Sequence, residues 1–254
     1  MFGQVKMSEW KKAKLNQNSL NKLNKLYKKF PETTGCLEHI LLPKDKGGCG
    51  GQCCEFLNPS VFYCEFLNSW NNVLETWNID KIMTLIERAL DNHMSLAFNK
   101  SCIFWDKKTK LCTQHKHRPA NCYFYGITPE EEFNQRIVRL RVIHKDDISA
   151  VIKDQCNLVK TEDGKIVKSD QMNEWFEELK TIEESIGIDK KFIHDGEYGT
   201  YRTFHDHIMI YLFSDEVLKK LSLIKESGDE QEILLAKKNY IQSMRNKFQK
   251  ILGE

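Results

Sequence analysis

The sequence predicts a mostly α-helical protein with an irregular cysteine-rich layer, α+β only in the sense of a few short strands. Three observations carry this expectation. Apolar residues recur at helical spacing in four separate stretches. Between them lie two aperiodic segments, residues 32–70 and 99–126, the first broken by Pro43, Gly47, Gly48, Gly50, Gly51 and Pro59. All of the nine cysteines except Cys156 fall within those two segments.

The first helical stripe is Leu20, Leu23, Tyr27 and Phe30, closed by Pro31. It belongs to a basic amphipathic N-terminal helix, since residues 1–30 hold eight lysines against one acid, Glu9. A solvated lysine face is the first reading, and contact with an acidic partner the second. A second stripe, Ile82, Leu85, Ile86 and Leu90, starts near Asp80, which is expected to cap it. Thr128 and Pro129 followed by three glutamates mark another helix start. The "RIVRLRVI" run after it is branched enough to be a strand. Met172, Trp175, Phe176, Leu179 and Ile182 form the third stripe. Ile233, Tyr240, Ile241, Met244, Phe248 and Ile251 form the fourth, separated by Gly228 from a shorter helix after Ser214. "TEDGKIVK" reads as a turn with a short strand after it, and "TFHDHIMIYLF" is compatible with helix or strand. Three regions follow: residues 1–35 as the basic helix, 36–126 as the cysteine-cluster region, and 127–254 as a largely helical part packed on it in one domain.

Composition narrows the function classes. The chain has 254 residues, is 41% hydrophobic and 29% charged, and has a net charge of +2, which are globular values that give no indication of nucleic-acid binding. The longest apolar run, Ile208–Phe213 with His207, is too short for a bilayer, and the first residues lack the pattern of a secretory signal. The expected location is the cytoplasm. No dinucleotide fingerprint, P-loop or nucleophile elbow occurs. If S-adenosylmethionine is used, it is bound without a recognisable Rossmann signature.

In a reducing compartment, clustered cysteines point to metal or redox chemistry rather than to disulfides. A bridge between the neighbours Cys53 and Cys54 would also be strained. "GGCGGQCCEF" supplies Cys49, Cys53 and Cys54; "SCIFWDKKTKLCTQHKHRPANCYFYGI" supplies Cys102, Cys112 and Cys122, with nine residues between each pair. Neither has the two close pairs of a zinc ribbon. The C-x3-C-x2-C run of radical S-adenosylmethionine enzymes fails at position 56, which is Phe.

These elements resemble the YkgJ-type cysteine-cluster family, described as a zinc- or iron-chelating domain, some members of which resemble flagellin lysine N-methylases. The resemblance rests on Cys49, Cys53 and Cys54, then Cys102 with Ile103 and Phe104, then Cys112, Arg118-Pro119 and Cys122. It spans roughly residues 47–126. This chain has His115 where the family usually places an aromatic, and Tyr123 where an arginine is common.

Thiolates suit iron–sulfur clusters, zinc and copper(I). The first reading is an iron–sulfur cluster of the 4Fe-4S type, bound by a set drawn from Cys49, Cys53, Cys54, Cys102, Cys112 and Cys122. Phe104, Trp105, Tyr123, Phe124 and Tyr125 would shield it from water. Structural zinc in an interaction protein is the second reading, and thiols without metal the third. His115 is the best non-cysteine ligand or proton donor. Arg118 either hydrogen-bonds nearby carbonyls or presents a cation to an anionic centre; these two are the catalytic candidates. A hydrogen-bonded or solvent-facing role is preferred over a metal site for His205 and His207. Cys36, Cys64 and Cys156 are the dispensable cysteines. A redox or modifying enzyme would act on a peptide, protein or small molecule, or exchange electrons with a partner.

Overall fold

The computed structural model describes residues 9–34, 52–56, 58–95, 100–132, 134, 135, 138, 159–162, 164, 166–193 and 199–252. Cys36, Cys49, Cys156 and nearly all of the "RIVRLRVI" run lie outside the described residues.

The periodic stripes become helices. Helix α1 (Gln17–Tyr27) begins where the Asn16 side chain accepts a 2.9 Å bond from the Ser19 amide, and it buries Leu23 and Leu26. A one-turn helix, α2 (Gln52–Phe56), carries Cys53 and Cys54. Helix α3 (Tyr63–Thr76) is followed by α4 (Ile79–Met94), which buries Ile82, Leu85, Ile86, Ala89 and Leu90. Its cap is Asn78, whose side chain accepts from the Lys81 amide at 3.1 Å; Asp80, the expected cap, sits instead in the first turn. A short α5 (Ala120–Phe124) carries Cys122. Residues 130–132 are helical just after Pro129, where the sequence places a helix start. The last four are α6 (Ser169–Ser185), α7 (Phe204–Leu212), α8 (Asp215–Ser227) and α9 (Glu230–Leu252). Gly228 ends α8 at φ 69°, a left-handed cap that favours glycine.

Helix α4 is the centre of the bundle and packs against α7, α8 and α9, while α6 packs against α1 and α3. One apolar core runs through all of them, from Trp10 to Phe248. Its largest fully buried side chains are Trp70, Tyr63, Phe62 and Phe66, all at or near the start of α3. This corrects the reading of residues 32–70 as loop and turns. The first turn of α3 is buried all round, with Tyr63, Cys64, Glu65, Phe66 and Leu67 inside, and only its second half turns Asn71, Glu75 and Thr76 to solvent. A turn buried on every side has no polar stripe, which breaks the period at the start of the helix.

The strands are two-residue antiparallel pairs. β1 (Thr33–Thr34) pairs with β3 (Lys160–Thr161), and β2 (Ser60–Val61) with β4 (Arg202–Thr203). The strand in "TEDGKIVK" thus precedes its turn at Gly164 rather than following it. "TFHDHIMIYLF" is helical, and both histidines are buried in it. His205 Nδ1 lies 2.9 Å from Thr203 Oγ1, and His207 Nε2 lies 2.9 Å from the Val61 carbonyl. Among the described residues no helix is long and apolar enough to cross a membrane.

Candidate metal centre

The two cysteine segments meet at their backbones. The Cys102 amide donates to the Cys54 carbonyl at 2.8 Å, fixing the second segment to α2. From there the chain turns through a tight hairpin in which Trp105 bridges Cys112. The Thr113 amide donates to Phe104 O at 2.8 Å, and the Asp106 amide to Leu111 O at 2.9 Å. The hairpin tip is set by Asp106, whose carboxylate accepts from the Lys108 amide at 2.8 Å, and by Lys110 at φ 62°. A 3-10 turn, His115–His117, follows, held by a 3.2 Å bond from the His115 amide to Cys112 O. Pro119 then starts α5, and its carbonyl accepts from the Cys122 amide at 2.9 Å. Each cysteine of the second segment thus sits in or beside a hydrogen-bonded turn, with little freedom of backbone placement.

The five described cysteines of the predicted set perturb one another. The Cys54 thiol interacts with those of both Cys112 and Cys53. The Cys54 thiol is pushed far up by the interactions with Cys112 and Cys53 and by burial. The same contact pulls the Cys53 thiol down to about 7, and it pulls Cys112 below its ordinary value. Burial pushes Cys102 up to about 12 and Cys122 well above the thiol range, with the neighbouring thiols adding to both. Cys102 is buried; Cys53, Cys54, Cys112 and Cys122 are partly exposed. Cys64 stands apart from this electrostatic cluster. It is fully buried on α3, and burial followed by the charges of Glu183 and Glu65 raises its thiol.

His115 and Arg118 form one unit beside these thiols. Arg118 Nη1 donates to His115 Nε2 at 3.0 Å, which occupies that nitrogen and leaves the imidazole neutral. Burial, then the Arg118 charge, holds His115 down at about 4. Arg118 Nη2 donates to Thr33 Oγ1 at 2.9 Å, and the guanidinium lies 4.1 Å from the centre of the Tyr123 ring. The aromatic residues expected to shield a cluster also belong to the core. Phe104 packs edge-on against Phe204 at 4.8 Å, and Phe124 stacks on Trp175 at 5.1 Å. Beside the hairpin an open cleft of about 630 Å³ is lined by Trp77, Asp80, Lys81, Arg88, Asp106 and Thr113.

Sequence reasoning missed the residue that ties Cys122 to the helices. Glu65 is 2% exposed and accepts from three donors: Tyr27 Oη at 2.8 Å, the Ala120 amide at 2.7 Å and the Phe62 amide at 3.0 Å. One carboxylate therefore caps both α3 and the helix of Cys122 while anchoring α1. Burial raises its pKa against the pull of those hydrogen bonds. Glu183, fully buried on α6, accepts from the Cys64 amide at 2.8 Å, and burial pushes it up to about 8. The available signal was Glu65 three residues after Phe62, the spacing at which a helix's third residue reaches back to its cap.

The donor set fits a thiophilic metal. Five thiols perturb one another electrostatically, and the buried carboxylate of Glu65 nearby is occupied by amides. Among the described residues no group of three or more His, Cys, Asp or Glu side chains is placed to hold a metal ion. No curated protein and no solved structure matches the chain. Residues 45–157 match the model of a family, CxxCxxCC, described as "Putative zinc- or iron-chelating domain". Those residues include the α2 cysteines, the hairpin and the Cys122 helix, and this part of the chain is similar to that cysteine-cluster family.

Proposed function

We propose that this chain is an iron–sulfur protein whose 4Fe-4S cluster joins the two cysteine segments and serves a redox or modifying reaction on a peptide, protein or small molecule. The observation that carries the reading is the meeting of Cys53, Cys54, Cys102, Cys112 and Cys122 around the Cys54–Cys102 backbone bond. Cys49 is the sixth member of the set. These thiols exceed the four ligands of one mononuclear zinc site and supply the soft donors that an iron–sulfur cluster takes. When bound, the cluster would supply one-electron chemistry, or an open iron if only three cysteines hold it. The chain's own part is to fix the thiols, exclude water with Phe104 and Trp105, and offer the cleft along α4 to a substrate. Anaerobic purification is expected to give a brown protein with broad absorption near roughly 400 nm and about four irons per chain. Colourless protein with stoichiometric zinc would overturn this reading.

A second reading, structural zinc, is favoured by the way Ile103, Phe104 and Phe124 of the cysteine segments are buried in the helical core. A metal that pins these segments would also pin the core, and its binding free energy would be folding free energy. Chelation should then abolish the helical circular dichroism. An apo-protein that keeps its melting temperature excludes it. Lysine N-methylase-like modification remains a third reading, resting on the resemblance alone.

A further inference from the structure

The Arg118 guanidinium is fixed on three sides and left incomplete on the fourth. Nη1 is taken by His115, Nη2 by Thr33, and one face by Tyr123. Nε is buried and has no acceptor among the described residues. A buried donor without a partner costs about 1–3 kcal/mol, and no carboxylate among the described residues pairs with this cation. Arg118 follows the turn that begins at Cys112 and precedes the one that holds Cys122, and its charge reaches Cys53, Cys112 and Cys122.

We infer that Arg118 is the built-in counter-ion of the cysteine centre, its Nε–H donating to a sulfur of the bound metal group and its charge offsetting that of the thiolates. The inference rests on the metal-centre reading above. A guanidinium suits the task because it never loses its proton, so the offset is constant. The clamp of Thr33, His115 and Tyr123 matters for a second reason. A cation that is held in place has no need to reorganise when the charge of the centre changes. Net charge and hydrogen bonds to sulfur are the levers that set cluster potentials. Reduction makes the centre more negative, so a fixed cation favours the reduced form, and its removal lowers the potential. Arg118 is a positioning and tuning residue in this account.

The test uses anaerobically prepared full-length protein, with iron content, visible absorption and a dye-mediated redox titration as readouts. Arg118→Gln is expected to retain iron and to shift the reduced-to-oxidised ratio about tenfold toward oxidised, which for one electron is about 59 mV downward. Arg118→Lys, which restores charge but not the Nε–H, should fall between Gln and Arg. Thr33→Val, which loosens the clamp without touching the charge, should shift the potential in the same direction by less. Unchanged potential in iron-replete Arg118→Gln would overturn the inference and leave the iron–sulfur reading intact. If the wild-type protein holds zinc instead, that reading falls, and the inference is tested by zinc competition with a chromophoric chelator. Arg118→Gln should then bind zinc about tenfold more weakly, and equal affinity would overturn it. Should Arg118→Gln fail to fold by circular dichroism, Arg118→Lys and Thr33→Val decide: no change in either overturns it.

Discussion

The helical body and the cysteine layer are held in opposite ways. Around α3, α4 and α7 the structure depends on many apolar side chains acting together, Leu85, Ile86, Leu90, Phe66 and Trp70 among them, none of which has a unique partner. In the cysteine layer it depends on a few directed bonds: Cys102 to Cys54, Thr113 to Phe104, Cys122 to Pro119, Ala120 to Glu65 and Arg118 to Thr33. Apolar packing is additive and tolerant, whereas a directed bond is present or absent. The comparison teaches where damage should register: in the body as lost stability, in the layer as lost metal.

Glu65 is the joint between the two, and its removal should break the distinction. Glu65→Ala leaves Tyr27 Oη and the Phe62 and Ala120 amides buried without an acceptor. The expected cost is about 4 kcal/mol in denaturant unfolding, together with loss of bound metal, because the helix of Cys122 loses its cap. Metal retained at wild-type level in this variant would show that Glu65 serves the body alone.

The cysteines sharpen the contrast. Cys112→Ala and Cys122→Ala should lose most of the bound metal. Cys64→Ala, in the fully buried body, should keep its metal and lose about 1 kcal/mol of stability to the small cavity. Metal analysis of the purified variants beside thermal melts separates the two. The reverse pattern would place the centre on the wrong cysteines.

Glu183 offers a pH test inside the body. Its folded pKa of about 8 lies above its ordinary value of 4.5, so the folded chain holds a proton that the unfolded chain has released. The stability contributed by that proton is complete below about pH 4.5 and is lost as pH rises toward 8. Glu183→Gln keeps an acceptor for the Cys64 amide and cannot ionise. Its stability relative to wild type should therefore rise from pH 5 to pH 8, measured by urea unfolding, with metal content unchanged. A pH-independent difference would mean that Glu183 does not titrate in that window. The smallest effect is expected at the hairpin tip. Lys110 at φ 62° adopts a conformation that glycine takes without strain. Lys110→Gly should gain about 0.5 kcal/mol, reduced by the loss of the Lys110 contact over Trp105. A clear destabilisation would show that this contact outweighs the backbone strain.

Much of this protein was legible in the sequence because helix periodicity and cysteine spacing are local properties. The stripes at Leu23, Leu85, Trp175 and Phe248 became buried faces, and the Gly228 stop became a left-handed cap. The Cys102, Cys112 and Cys122 spacing with Arg118-Pro119 marked the region that is similar to the chelating family. Helix α3 escaped because its first turn, Tyr63–Leu67, is buried on every side and carries no alternation to read. Glu65 and Glu183 escaped because a buried carboxylate is indistinguishable in sequence from an exposed one until its donors arrive. Those donors come from residues 27, 62, 64 and 120, brought together only by tertiary packing. The same holds for the clamp on Arg118, since Thr33 lies 85 residues away and reaches it only in the folded chain. Sequence by itself determined which residues could form helices and where the clustered thiols lie. Tertiary structure decided which polar groups were satisfied and which thiols met, because hydrogen bonds and electrostatic coupling depend on distances that only packing sets.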